Sequence, residues 1–168
     1  MLGSSARMTT FVALDFETAD RFRDSACAVG VVRVEGSRIT HREHHLIQPP
    51  RRTFEFTGVH GISWAHVAGE ARFSEVWRRV APLLEGAEFI AAHNASFDRS
   101  VLQACCAAFA MEAPQLRFEC TVKLARERWQ LRPTTLPDVC RHLGLALRHH
   151  DALSDAEACA GIVLAART

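Results

Sequence analysis

Five side chains in three separate stretches of this 168-residue chain could share one reaction centre. Asp15 and Glu17 stand two apart in FVALDFETAD, Asp98 closes AHNASFD, and His150 and Asp155 stand at the two ends of HDALSD. Carboxylates spread along a chain and gathered by its fold are hard oxygen donors, the set that holds Mg²⁺ or Mn²⁺. A pair of such ions is a device for cleaving phosphodiesters, and the histidine adds a base that titrates near neutral pH. On a strand, residues two apart share a face, so Asp15 and Glu17 point one way while Phe16 points into the core. Acids ending a strongly apolar strand are desolvated and need a partner; a solvated sheet edge is the competing explanation. Asp98 follows His93 and Asn94 where a buried strand gives way to a helix, the end of the strand at which α/β folds place their sites. Its simpler role would be to favour the helix N-terminus through the dipole. Phe97 is either core or a platform on which a base stacks. In the last stretch Asp151 competes with Asp155, and His149 with His150. Spacing alone leaves both pairs open.

The elements that must position these groups can be read from periodicity and turn residues. Strands are expected over 10–16, 26–34 and 38–47, the last two joined at Gly36-Ser37 as a hairpin, and a loop over 54–62. A helix over 74–84 stops at Gly86, a buried strand over 88–92 leads into His93-Asn94, and Ser96 caps a helix to about residue 110. A short strand over 116–120 and helices over 122–129, 136–143 and 154–166 complete the order. Three strands, a helix, then alternating strands and helices describe an α/β domain with a mixed central sheet flanked by helices.

Composition narrows the classes. Hydrophobic residues make up 48% of the chain, enough for a single sizeable core and one domain over 10–168. The opening residues 1–9 are small and polar and are expected to be disordered. They lack the plan of a signal peptide, and no apolar run is long enough to span a membrane. A net charge of +1 provides no broad electrostatic footprint for long duplex nucleic acid, so such a substrate would be held locally. The six cysteines show neither C-x-x-C pairing nor zinc spacing. They are read as reduced, buried thiols, which suits a cytoplasmic protein.

With these motifs in view, D-x-E, then H-N-x-x-F-D, then H-x-A-x-x-D, the chain resembles the DEDDh 3′→5′ exonucleases. This family has a ribonuclease H-like fold and includes the proofreading ε subunit of bacterial DNA polymerase III. The likeness runs from about residue 10 to 165, and extends to Thr57-Gly58-Val59-His60-Gly61-Ile62 and Leu136-Pro137-Asp138-Val139-Cys140. It implies that Asp15, Glu17, Asp98 and Asp155 hold two divalent cations, Mg²⁺ or Mn²⁺, and that His150 is the general base. His150 lies five residues before Asp155, as the motif requires, so the resemblance selects it over His149 and sets Asp151 aside. It further implies that Phe16, Thr18, His60, Ile62, Asn94 and Phe97 contact the terminal nucleotide.

The function so implied is metal-dependent removal of nucleoside 5′-monophosphates from single-stranded or frayed 3′ ends, DNA favoured over RNA. Ribonuclease T and oligoribonuclease share the tetrad and act on RNA, so an exoribonuclease is the nearest alternative. A non-catalytic binding module on the same fold is a second, against which the intact tetrad counts. An aspartate-nucleophile phosphatase needs D-x-D after its first strand, and Glu17 breaks that pattern. A polymerase or replication complex is a candidate partner. Residues after the last helix provide no tail for such docking, so the expectation is a free-standing exonuclease or a proofreader recruited in another way. Gln115-Leu116-Arg117-Phe118 faintly resembles a clamp-binding peptide but falls in an expected strand. Oligomeric state is left open.

Overall fold

The computed structural model describes residues 8–168. The expected disorder of residues 1–9 therefore falls mostly outside the described residues; the Thr9 carbonyl accepts a hydrogen bond from Gly36 N–H at 2.8 Å. The central strand, β1 (Thr10–Thr18), is an apolar run of β-formers that is buried apart from the half-buried Thr10 and Asp15. β2 (Ala26–Glu35) lies antiparallel to β1, and β3 (Arg38–Leu46) antiparallel to β2. Two short helices follow, α1 (Thr57–His60) and α2 (Trp64–Val67), and then α3 (Phe73–Val80) with a 3₁₀ turn at Ala81–Leu84. β4 (Phe89–Ala92) returns parallel to β1, and α4 (Ala95–Ala108) crosses over to β5 (Arg117–Cys120), parallel to β4. α5 (Thr121–Trp129), α6 (Leu136–Leu143) and α7 (Ala152–Ala166) close the chain, and the sheet order is β3-β2-β1-β4-β5. The mixed sheet with helices on its faces is the architecture expected from the sequence.

Strand alternation sorts β1 between two cores. Val12, Leu14 and Phe16 join Val76, Trp77 and Val80 of α3 and Val101 and Leu102 of α4. Phe11 and Ala13 join Ala156, Cys159, Ala160 and Val163 of α7. Asp15 and Glu17 continue the second set, so both carboxylates face the side on which α7 packs. That helix comes unusually close. Gly30 pairs with Asp15 across β1–β2, and a Cβ there would stand 2.1 Å from the Ala152 carbonyl oxygen. The first turn of α7 thus rests on bare β2 backbone, beside the β1 carboxylates.

Several boundaries differ from expectation. β1 runs on to Thr18, so Asp15 and Glu17 lie inside the strand rather than at its end, with a register shift between Glu17 and Thr18. Ser96 does not cap α4: the N-cap is Asn94, at φ 63° and ψ 55°, and its side chain makes no capping bond. α7 begins at Ala152, two residues early, because Asp151 caps it by accepting from Ser154 N–H at 2.9 Å. The expected 54–62 loop contains α1, and Leu116 and Phe118 of the clamp-like tetrapeptide pack on the main core. All six cysteines are free thiols, five of them buried.

Candidate active site

The fold brings the three stretches to one place. One carboxylate oxygen each from Asp15, Glu17 and Asp155 lie within 4.8 Å of one another. They line a pocket of about 310 Å³ together with Phe16, Phe97, His149 and His150. Asp98 reaches the group from the first turn of α4: it is 1% exposed, and its Oδ1 accepts the Phe16 N–H at 2.9 Å. That bond satisfies the β1 backbone between Asp15 and Glu17 and orients both.

Four carboxylates this close repel one another, and burial removes the water that would screen them. Burial first, and then the charges of Asp98, Asp155 and Glu17, raise Asp15 well above the ordinary carboxylate range. Glu17 is pushed up to about 8, by burial and then by Asp155 and Asp98. Burial lifts Asp98 to about 7 against the opposing hydrogen bond from Phe16. It raises Asp155 as well, although His149 and His150 act in the other direction. Asp15 Oδ2 and Asp155 Oδ1 are buried without a hydrogen-bond partner among the described residues. Buried acceptors are ordinarily satisfied. Two orphaned oxygens amid four acids are a donor set that fits divalent cations with oxygen preference.

The histidine pair is arranged differently from the sequence reading. The imidazole that touches Asp155 is that of His149, Nδ1 to Oδ2 at 3.2 Å. His150, at φ 66°, donates its backbone N–H to the same Oδ2 at 3.1 Å, and its ring stacks on that of His149 with centroids 3.7 Å apart. Burial, and then neighbouring His149, lower the His150 pKa, which keeps that imidazole neutral and able to accept a proton. Asp151, set aside as a ligand, serves instead as the cap that starts α7 one turn before Asp155.

A second cavity, of about 200 Å³, adjoins the first and is lined by Phe16, Glu17, Thr18, Phe56, Val59, His60 and Phe97. It therefore unites Phe16, Thr18, His60 and Phe97 of the expected nucleotide contacts. His60 also holds the wall in place. Its Nε2 lies 2.9 Å from the Thr18 carbonyl and its Nδ1 accepts Ile62 N–H at 3.0 Å, so Nε2 carries the proton. Ile62 is not brought into either cavity; it packs on a satellite core with Ala19, Cys27 and Val67. Asn94 faces a third cavity beyond His93. Phe56 and Val59 line the second cavity and Arg23 sets its guanidinium 4.7 Å from the Phe97 ring centroid, none of them among the expected nucleotide contacts. His93 spans the site's edge, Nδ1 to Thr121 Oγ1 at 2.8 Å and Nε2 to the Thr134 carbonyl at 2.9 Å. The H-N pair was visible in sequence; that its histidine is a strut was not.

Comparison with known proteins bears on the family and the fold. A family model described as Exonuclease (RNase T) matches residues 12–163. A protein named DNA polymerase III PolC-type, from Thermotoga petrophila, is 33% identical over 171 residues, covering 96% of this chain and 12% of that protein. Exodeoxyribonuclease 10 of Escherichia coli K12 is 34% identical over 104 residues, 60% of this chain and 40% of the relative. The chain thus spans well under two thirds of the length of either. Among solved structures, exonuclease X in complex with 5′ overhanging duplex DNA superposes with a TM-score of 0.76 at 25% identity, covering 93% of this chain and 90% of that one. The nuclease domain of 3′hExo, a DEDDh family member bound to rAMP, superposes with a TM-score of 0.81 at 16% identity, covering 96% and 93%. These likenesses make the fold ribonuclease H-like.

Proposed function

Because the chain belongs to the RNase T exonuclease family, we propose that it removes nucleoside 5′-monophosphates in turn from 3′ ends of single-stranded or frayed DNA. The observation that carries this reading is the Asp15–Glu17–Asp155 cluster, with two orphaned buried oxygens, set against an apolar cavity of about 200 Å³. Asp15, Glu17 and Asp155 would hold divalent cations, Mg²⁺ or Mn²⁺, with Asp98 supporting the second through its charge. When bound, such cations lower the pKa of water and offset the negative charge that develops on the attacking and departing oxygens.

The protein's own groups do the rest. Phe16, Phe56, Val59 and Phe97 take the terminal nucleoside out of water, and the Thr18–His60 strut fixes the depth to which it enters. This places its 5′-phosphate, the one joining it to the rest of the strand, over the carboxylates. The unprotonated nitrogen of the His150 imidazole accepts a proton from the attacking water. The water oxygen bonds to phosphorus as the bond to the upstream 3′-oxygen breaks, and that oxygen leaves and takes a proton from solvent to become the new 3′-hydroxyl.

DNA is favoured because the relatives at 33% and 34% identity carry the names of a DNA polymerase and an exodeoxyribonuclease. The same match to a polymerase motivates association with a replication complex. The free thiols accord with a cytoplasmic location, and no helix among the described residues is long and apolar enough to cross a membrane. Digestion of matched 5′-labelled DNA and RNA oligomers, with Mg²⁺, with Mn²⁺ and with chelator, tests the proposal. The expected result is a ladder shortening from the 3′ end, faster on DNA and absent with chelator. No cleavage of either polymer with either cation refutes the exonuclease reading, and faster cleavage of RNA reverses the substrate assignment.

A further inference from the structure

The acidic pocket adjoins two others. It shares Phe16, Glu17 and Phe97 with the nucleoside cavity. It shares His93 and Thr135 with an open cavity of about 560 Å³, whose lining includes Asn94, Arg126, Arg132 and Thr134. The linings differ in chemistry. The first offers three phenylalanine rings and a valine; the last offers two guanidinium groups, an amide and hydroxyls, and no carboxylate.

From this contrast we infer that Arg126 and Arg132 bind an internucleotide phosphate of the substrate strand upstream of the bond that is cut. The inference rests on the exonuclease reading. A 3′-directed enzyme leaves only one nucleotide beyond the scissile phosphate, and the apolar cavity holds it. The rest of the strand leaves the acidic pocket elsewhere, and the adjoining cavity lined by the arginines is the one that offers cationic donors to it.

The arginines are prepared for that role. Arg126 Nε–H donates to Thr134 Oγ1 at 3.0 Å, which aims the guanidinium and leaves its terminal nitrogens free. Neither Arg126 nor Arg132 has an acidic partner among the described residues. The wall that carries them is held by His93, whose two nitrogens lie close to Thr121 and to the Thr134 carbonyl. A planar fork on a fixed wall suits bidentate capture of phosphate.

The test compares two substrates in Mn²⁺. One is a DNA oligomer about ten nucleotides long. The other is the p-nitrophenyl ester of thymidine 5′-monophosphate, which has a leaving group but no upstream phosphate. Arg132→Gln and Arg126→Gln are expected to raise KM for the oligomer about ten-fold with kcat changed less than about two-fold, as loss of a charge-assisted phosphate contact requires. Each should flatten the dependence of log kcat/KM on log salt by about 0.7, the value for one single-strand phosphate contact. Arg132→Lys should recover part of the KM, and hydrolysis of the ester should show no comparable fall. Wild-type KM and salt slope in both glutamine variants overturn the inference. So does an equal fall on both substrates, which would mark the arginines as structural. If wild-type protein cleaves neither substrate, the exonuclease reading fails, and the subsite with it.

Discussion

Without divalent cation, the crowded carboxylates should make the fold lose stability as pH rises, the reverse of the usual behaviour of surface acids. A carboxyl group whose pKa is raised by folding keeps a proton that the unfolded chain has already released, so stability falls with pH between the two values. Glu17 is moved from 4.5 to about 8. Between about pH 6.5 and about pH 8 it removes about 2 kcal/mol, at ~1.4 kcal/mol per proton per pH unit. Asp98, at about 7, adds up to ~0.7 kcal/mol in the lower part of that window. The window also lies clear of several other titrations. His60 and His93, whose pKa values are lowered by burial, increase stability with pH, but only up to about 6.5, where unfolded histidine loses its proton. Buried Cys27 and Cys105, pushed up to about 12, act only above about pH 8.5, where unfolded thiols ionise. A total of 2–3 kcal/mol corresponds to a fall in Tm of about 5–10 °C for a chain of this size. Thermal melts in chelator at three pH values across the window measure it directly. Excess Mn²⁺ or Mg²⁺ replaces the protons, so the same melts should lose their slope. At one hundred times Kd the stabilisation is about 2.7 kcal/mol, and it should be larger at the alkaline end of the window than at the acid end. Glu17→Gln should make the slope in chelator shallower, leaving the part due to Asp98 and the likewise raised Asp15 and Asp155, and weaken the response to cation. A Tm in chelator that is flat or rising across the window, or a cation effect independent of pH, would refute this account of the cluster.

Other predictions concern the groups that assemble the site. Gly30→Ala places a methyl group 2.1 Å from the Ala152 carbonyl oxygen. It should displace the start of α7, costing about 1–3 kcal/mol by overpacking and abolishing most cation-induced stabilisation; a variant that melts and binds Mn²⁺ like wild type would disprove that packing. His150→Ala should lower kcat by ~10²–10⁴, the usual share of a general base, whereas His149→Ala should lower it by less than ~10-fold; equal losses, or greater loss at His149, would transfer the role of base. Because the His150 pKa is lowered, by burial and then by His149, the acid limb of the pH–rate profile should lie below about 6.5. Activity falls there as the imidazole gains its proton, and a rate unchanged from about pH 8 to about pH 5 would argue against a histidine base.

Much of the arrangement was legible because two periodicities carry it. The apolar run before Asp15 can only be a buried strand, and period two then places Asp15 and Glu17 on one face. A strand directly followed by a helix places Asp98 at the carboxyl end of β4, and a helix after HDALSD brings Asp155 to the same edge. What could not be read depends on contacts between distant segments. Gly30 is one glycine in an apolar strand, and only the α7 backbone lying over it reveals why no Cβ fits there. Asn94 looks like an ordinary cap-forming residue, but the chain needs its left-handed backbone, not its side chain, to turn from β4 into α4. Ile62 and His60 share one loop motif, yet one side chain packs in a satellite core and the other faces the nucleoside cavity. No local rule distinguishes them.

The four acids are also less alike than their shared motif suggests. Asp15, Glu17 and Asp155 bring oxygens within reach of a common centre, and two of these residues carry an oxygen that nothing else satisfies. Asp98 has already committed Oδ1 to the Phe16 N–H, so its remaining contribution is one oxygen and a buried charge. Its bond reaches the β1 backbone between Asp15 and Glu17, which lets α4 set the attitude of both. α7 sets that of Asp155 through the Asp151 cap and the two contacts from His149 and His150 to Oδ2. Neither helix can shift without moving a carboxylate relative to the others. Placing the acids on separate elements therefore makes the geometry of the centre depend on the packing of the whole sheet, which is why one missing methyl group at Gly30 matters as much to the site as any residue that lines it.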